Sequence, residues 1–102
     1  PASPASPPAG LTRHALVFAA TGAIASAVAA ALAADGFHVH LSARDGARVD
    51  ALAERLRQAG GAASAAAVDA TDPAAVRAYV DDVAARHGRI DVAFNGIGGR
   101  PA

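Results

Sequence analysis

Apolar positions along the chain alternate between two periods, and the switches between them mark out seven elements. A short apolar run from Ala15 to Ala19 has the length of a buried strand. A turn containing Gly22 follows. Ile24, Val28 and Leu32 then recur four apart, which places them on one helix face. Gly36 stands where a glycine ends a helix. Phe37, Val39 and Leu41 alternate with His38, His40 and Ser42, the period of a strand. Ala43-Arg44-Asp45-Gly46 reads as a turn, with Asp45 a candidate N-cap. The helix beyond runs to about Ala59. It gathers Val49, Leu52 and Leu56 on one face, and Glu54, Arg55, Arg57 and Gln58 on the other.

The alanine-rich stretch Ala62 to Val68 has weak strand propensity of its own. It lies between the stop Gly60-Gly61 and the start Asp72-Pro73, an N-cap followed by proline at the first helical position. A connector of strand length between two helices is read as a strand. The third helix, Pro73 to His87, places Val76, Val80 and Val83 inward, and Gly88 ends it. Ile90 to Phe94 is a fourth strand, and Asn95 to Ala102 a glycine-rich loop. Pro1 to Gly10 is a low-complexity Pro/Ala/Ser segment with little to bury, expected to be a disordered tail before a single domain over residues 11–102.

The resulting βαβαβαβ order with short connections demands right-handed crossovers and a parallel sheet covered by helices. The expected fold class is α/β, a partial Rossmann-type sheet with strand order 3-2-1-4. The turn at Gly22 then falls at the switch point between the first and fourth strands. A helix opening there aims free backbone N–H groups and its positive dipole end at the turn, a geometry that suits a phosphate.

Composition narrows the chemistry. The chain has 102 residues and a net charge of zero. No basic patch or aromatic-interleaved basic run argues for nucleic acid. Lysine is absent, which excludes a P-loop and any lysine-dependent catalysis within these residues. Cysteine is absent, which excludes disulfides and thiolate metal sites. No apolar run is long enough to span a bilayer, and the N-terminus lacks the pattern of a secretory signal. A soluble cytoplasmic protein without membrane or nucleic-acid partners is expected. His38 and His40 could ligate a metal from one strand face. No acidic or cysteine partner sits nearby in sequence, so they are read as the more polar face of a strand and no metal is expected. His14 and His87 are read as surface residues, and Tyr79 as a packing residue.

Four segments resemble the short-chain dehydrogenase/reductase family, in the family's order and spacing. They are A-L-V-F-A-A-T-G-A-I-A-S-A-V-A from Ala15, L-S-A-R-D from Leu41, V-D-A-T-D from Val68, and R-I-D-V-A-F-N-G-I-G from Arg89. Together they span nearly everything after the tail. The first segment departs from the family's threonine and three glycines. Phe18 and Ala19 replace T-G, Gly22 fits the middle glycine, and Ala25 replaces the last. Alanine in a turn that needs φ > 0 costs on the order of 1 kcal/mol. A methyl at Ala25 is expected to crowd the pyrophosphate or the neighbouring strand. Gly96 departs from the second asparagine of the family's N-N-A-G, which removes the usual amide contact there.

The resemblance implies an oxidoreductase that transfers hydride to or from a carbonyl or alcohol carbon. It implies cofactor contacts from Ala19, Thr21, Gly22 and Ile24 at the turn, from Asp69 and Ala70 toward the adenine, and from Asn95 and Gly96 at the fourth strand. Ala43 stands where NAD-preferring members carry an acid. Arg44, assisted by Ser42 or Arg48, would face a 2′-phosphate, which favours NADP(H) over NAD(H). The family's catalytic serine and Tyr-x-x-x-Lys have no counterpart here, so no catalytic residue is assigned. The chain reads as the cofactor half of a longer protein, and a lone half is expected to be inactive. The full-length protein is expected to be a homo-oligomer with a small-molecule substrate. The missing initiator methionine fits processing, a tag remnant or a fragment. The eroded glycines keep open a degenerate nucleotide-binding or regulatory module without redox activity. A receiver-like domain ranks last, because Asp35 and Asp45 lie on the wrong turns for its acidic cluster.

Overall fold

The computed structural model describes residues 12–97. The expected tail and the end of the glycine-rich loop lie outside them. Seven elements follow in order: β1 (His14–Phe18), α1 (Ala23–Ala34), β2 (His38–Ala43), α2 (Gly46–Gln58), β3 (Ala62–Ala67), α3 (Pro73–His87) and β4 (Val92–Asn95). The strands form one parallel sheet in the order β3-β2-β1-β4. This is the partial Rossmann-type α/β fold anticipated from the periodicities, with strand limits displaced by one or two residues.

Local chemistry starts and stops the helices as the sequence suggests. The Asp45 carboxylate accepts the Arg48 amide at the start of α2. Asp72 accepts the amides of Ala74 and Ala75 at the start of α3, with Pro73 in the first turn. Gly88 ends α3 at φ 79°, a left-handed conformation in which a Cβ would be strained. β3 is built almost wholly of alanine. Its register against β2, from His38↔Ala62 to Ala43↔Ala67, shows that pairing overrode propensity.

Alternation along the strands sorts two unequal faces. Ala15 and Val17 of β1, with Val39, Leu41 and Ala43 of β2, pack with α1 and α2 in the main core around Val49, Leu52 and Leu56. Leu16 and Phe18 turn to the opposite face and pack with Val83 of α3, flanked by Val76, Tyr79 and Val80. The inward readings for α2 and α3 agree with this arrangement.

The face that Ile24, Val28 and Leu32 share on α1 is not the one the helix buries. Ala25 and Ala29 are buried, Leu32 is only partly so, and Ile24 is 75% exposed. The helix lies so close to the sheet that methyl-sized side chains make the contact. In a helix this rich in alanine, the larger residues do not mark the inner side.

The histidine readings are corrected as well. His14 is 5% exposed and His40 2%, and both lie on the α3 side of the sheet, not on a solvated face. His38 and His87 are half-buried beside them. α3 crosses this face and its last turn covers the strand histidines, which strand periodicity alone does not reveal.

Candidate functional site

The turn between β1 and α1 is pinned to its neighbours through backbone groups. The Ala20 amide donates to the Ser42 carbonyl of β2 at 2.9 Å, and the Gly96 amide donates to the Phe18 carbonyl at 2.9 Å. Ala19 takes φ 54°, the left-handed conformation its glycine counterpart would adopt without strain. The cost foreseen for alanine here is therefore present in the fold. Gly22 caps α1 with extended backbone and no side-chain bond, and no acid lies in the first turn. Among the described residues, the opening amides of α1 thus have no side-chain partner, unlike those of α2 and α3. Phe18 does not plug this mouth. Its ring points to the α3 face, edge-on to Tyr79 at 6.0 Å between centroids.

A cavity of about 340 Å³ opens at the carboxyl ends of β1, β2 and β3. Ala19 and Thr21 form its wall on the turn side, Ala43, Arg44 and Asp45 the wall after β2, and Val68 to Thr71 the wall after β3. Ile97 completes it. The volume lies at the small end of ligand sites and matches an adenosine-sized group better than a whole dinucleotide.

Of the residues singled out in the sequence, Ala19, Thr21, Arg44, Asp69 and Ala70 line this one cavity. Gly22 and Ile24 lie at the exposed start of α1, off the cavity wall. Asn95 ends β4, where its Oδ1 accepts the Ile97 amide at 2.9 Å and so positions one wall residue. Gly96 lies behind the turn, against Phe18 and Ala25. Ser42 does not reach the site. It is fully buried, and its hydroxyl is directed at the Val17 carbonyl at 3.5 Å. It cannot assist Arg44, because its side chain belongs to the α3 side of the sheet.

Electrostatics divide the cavity. Asp69 Oδ1 accepts the Thr71 hydroxyl at 2.6 Å and its amide at 2.9 Å. These bonds, the hydroxyl's foremost, hold the carboxyl below the usual carboxylate range. Both use one oxygen, which leaves Oδ2 for another donor. Arg44 is exposed and makes no ion pair among the described residues. Asp45 is committed to capping α2. Thr71 was not singled out in the sequence, although D-A-T is the spacing of a side-chain-to-backbone turn. Val68 entered only as the end of a strand.

A parallel half-sheet in the order 3-2-1-4, with a cavity at the carboxyl ends of its strands, defines a partial Rossmann-type α/β domain. Residues 13–102 match the family described as short chain dehydrogenase. The chain belongs to the short-chain dehydrogenase/reductase family. It is 42% identical over 87 residues to a Streptomyces virginiae protein named as a ketoacyl reductase of the monensin polyketide synthase, an alignment covering 85% of this chain and 33% of that one. Among solved structures, a variant of actinorhodin polyketide ketoreductase with NADPH superimposes with a TM-score of 0.80 at 32% identity, covering 90% of this chain and 35% of that one. A metagenomic short-chain oxidoreductase in complex with NADP gives 0.76 at 35% identity, covering 82% and 38%. The chain spans about a third of the length of the curated relatives it matches. Among the described residues, no helix is long and apolar enough to cross a membrane.

Proposed function

We propose that this chain supplies the cofactor-holding part of an NADP(H)-dependent oxidoreductase acting on a carbonyl or alcohol substrate. The observation that carries the reading is the cavity at the carboxyl ends of the strands, with Arg44 on its wall and the uncapped start of α1 beside it. The amides after Gly22 would face the paired phosphates, with Thr21 and Ile24 flanking them. Arg44 would meet a 2′-phosphate through paired, charge-assisted hydrogen bonds. Asp69 Oδ2 and the backbone at Ala70 would take the adenine edge, and Asn95 and Gly96 would form the wall at β4. When bound, the nicotinamide supplies the hydride. This chain's residues bind and orient the cofactor.

No proton-transfer group is assigned among these residues. Tyr79 is packed against Phe18, and burial pushes its phenol up to about 12. The chain alone is therefore expected to bind cofactor without turnover. Two relatives with NADP or NADPH in their structures support the choice of nucleotide. Fluorescence titration with NADPH and with NADH tests the proposal. Saturable binding with NADPH the tighter ligand is expected. No response to either nucleotide in a folded sample would overturn it.

A further inference from the structure

The sheet carries a second constellation, away from the nucleotide cavity. β1 opens with His14, β2 contributes His38 and His40 to the same face, and the last turn of α3 ends in His87. His14 Nδ1 lies 3.0 Å from His40 Nε2. His87 stacks on His14 at 4.4 Å between ring centroids. One ring nitrogen from each of His14, His40 and His87 falls within 4.8 Å of the other two. His38 stacks flat on His40 at 4.3 Å, and its Nε2 is bonded to Ser64 Oγ at 2.7 Å. It supports the ring of His40 from outside the triad.

We propose that His14, His40 and His87 bind a divalent transition-metal ion, with zinc the natural occupant, at the amino end of the sheet. Three imidazoles from three different elements bring their nitrogens within 4.8 Å of one another, and imidazole is a ligand that borderline metals such as zinc accept. Zinc–nitrogen bonds of 2.0–2.1 Å set ligand nitrogens about 3.3 Å apart in a tetrahedron. His14 Nδ1 and His40 Nε2, 3.0 Å apart, are hydrogen-bonded to each other, and the ion would take the place of the shared proton. His87, half-buried at a helix end, is the ligand that would have to shift to reach that spacing. The fourth position would hold water.

Charges of both signs flank the site, with Arg86 and Arg89 on one side of the balance and Asp91 on the other. Burial, reinforced by His38, His87, His14 and Arg86, lowers the His40 imidazole to about 3. Burial also lowers His14, with His87 and Arg89 acting the same way and Asp91 opposing. Asp91 supplies negative charge at the edge, where it accepts the His14 amide at 2.8 Å and pairs with Arg89 at 3.0 Å. The site lies five residues along β1 from Ala19, roughly 16 Å at strand rise. The ion would therefore tie α3 to the sheet and take no part at the nucleotide cavity, and the inference is independent of the proposed function.

Titrating the metal-free chain with Co²⁺, then displacing it with Zn²⁺, tests the site. One equivalent of Co²⁺ should produce the visible absorption of a four-coordinate ion, Zn²⁺ should abolish that absorption, and Zn²⁺ should raise Tm. His87→Gln should weaken binding by more than the roughly 10- to 100-fold typical of an outer-shell partner, and His38→Gln by no more than that. Circular dichroism confirms that each variant is folded. Absence of the cobalt spectrum and of a Tm shift in the parent chain would overturn the proposal. So would a folded His87→Gln variant that binds as tightly as the parent, or a His38→Gln variant that loses as much as His87→Gln.

Discussion

The methyl of Ala25 and the bare Cα of Gly96 are a matched pair. A Cβ built at position 96 would stand 2.6 Å from Ala25 Cβ and 2.8 Å from the Phe18 carbonyl oxygen. Real Cβ atoms do not approach so closely. The two departures from the family's pattern therefore occupy one place. Alanine on α1 fills space that glycine leaves open on the β4 side, so the helix still lies close to the sheet. The crowding expected of Ala25 falls on position 96 and is relieved there.

Gly96→Ala should accordingly destabilise the fold by about 1–3 kcal/mol, the usual cost of overpacking. Chemical denaturation measures it. Pairing the change with Ala25→Gly should recover part of the loss, because one of the close contacts disappears while the Phe18 carbonyl remains. A double-mutant cycle that finds the two changes strictly additive would refute the coupling.

Ala19 offers the opposite experiment. Its φ of 54° is strained for alanine and free for glycine. Ala19→Gly should stabilise the chain by up to about 1 kcal/mol, since relief of strain outweighs the added entropy of the unfolded chain. A thermal melt reads the gain. A lower Tm would mean that the turn is held in place by contacts of the methyl group.

Arg44 should set the choice of nucleotide. Removing a charge-assisted contact worth about 1.5–3 kcal/mol should weaken NADPH binding roughly 10- to 100-fold in Arg44→Ala. NADH binding should hardly change. Equal losses for both nucleotides would place Arg44 on the shared part of the cofactor and remove the argument for a 2′-phosphate.

Tyr79 gives the pH signature of the α3 face. Burial raises its phenol to about 12, against an ordinary value of 10. A raised pKa means that the folded state favours the neutral phenol. Its contribution to stability is therefore complete below about pH 10 and is lost as pH rises toward 12. Ultraviolet titration of this sole tyrosine should show ionisation late, together with loss of structure. A midpoint near 10 in the folded chain would show that Tyr79 is not packed as described.

Much of the cavity's lining was legible in the sequence because its parts are local. Turn residues, caps and strand ends lie at fixed spacings, so Thr21, Arg44, Asp69 and Ala70 could be named before their common cavity was seen. Ser42 was misplaced for a local reason too: strand alternation sends it to the face opposite Ala43. The histidine group was missed because its members are separated by up to 73 residues, counting from His14 to His87. Searching for acids and cysteines beside His38 and His40 could not find partners that arrive from β1 and α3.

Periodicity, caps and glycines by themselves determined the element order, the parallel half-sheet and the turn at its switch point, because each depends on residues within a few positions of one another. Only tertiary packing decided which face of α1 is buried, since in an alanine helix the tolerance of the opposing surface, not side-chain size, selects the inner stripe. Packing also decided that Ala25 requires glycine at 96 and that His14, His40 and His87 converge. Those relationships exist only when distant segments are brought within a few ångströms, where a single methyl or imidazole fixes what can stand beside it.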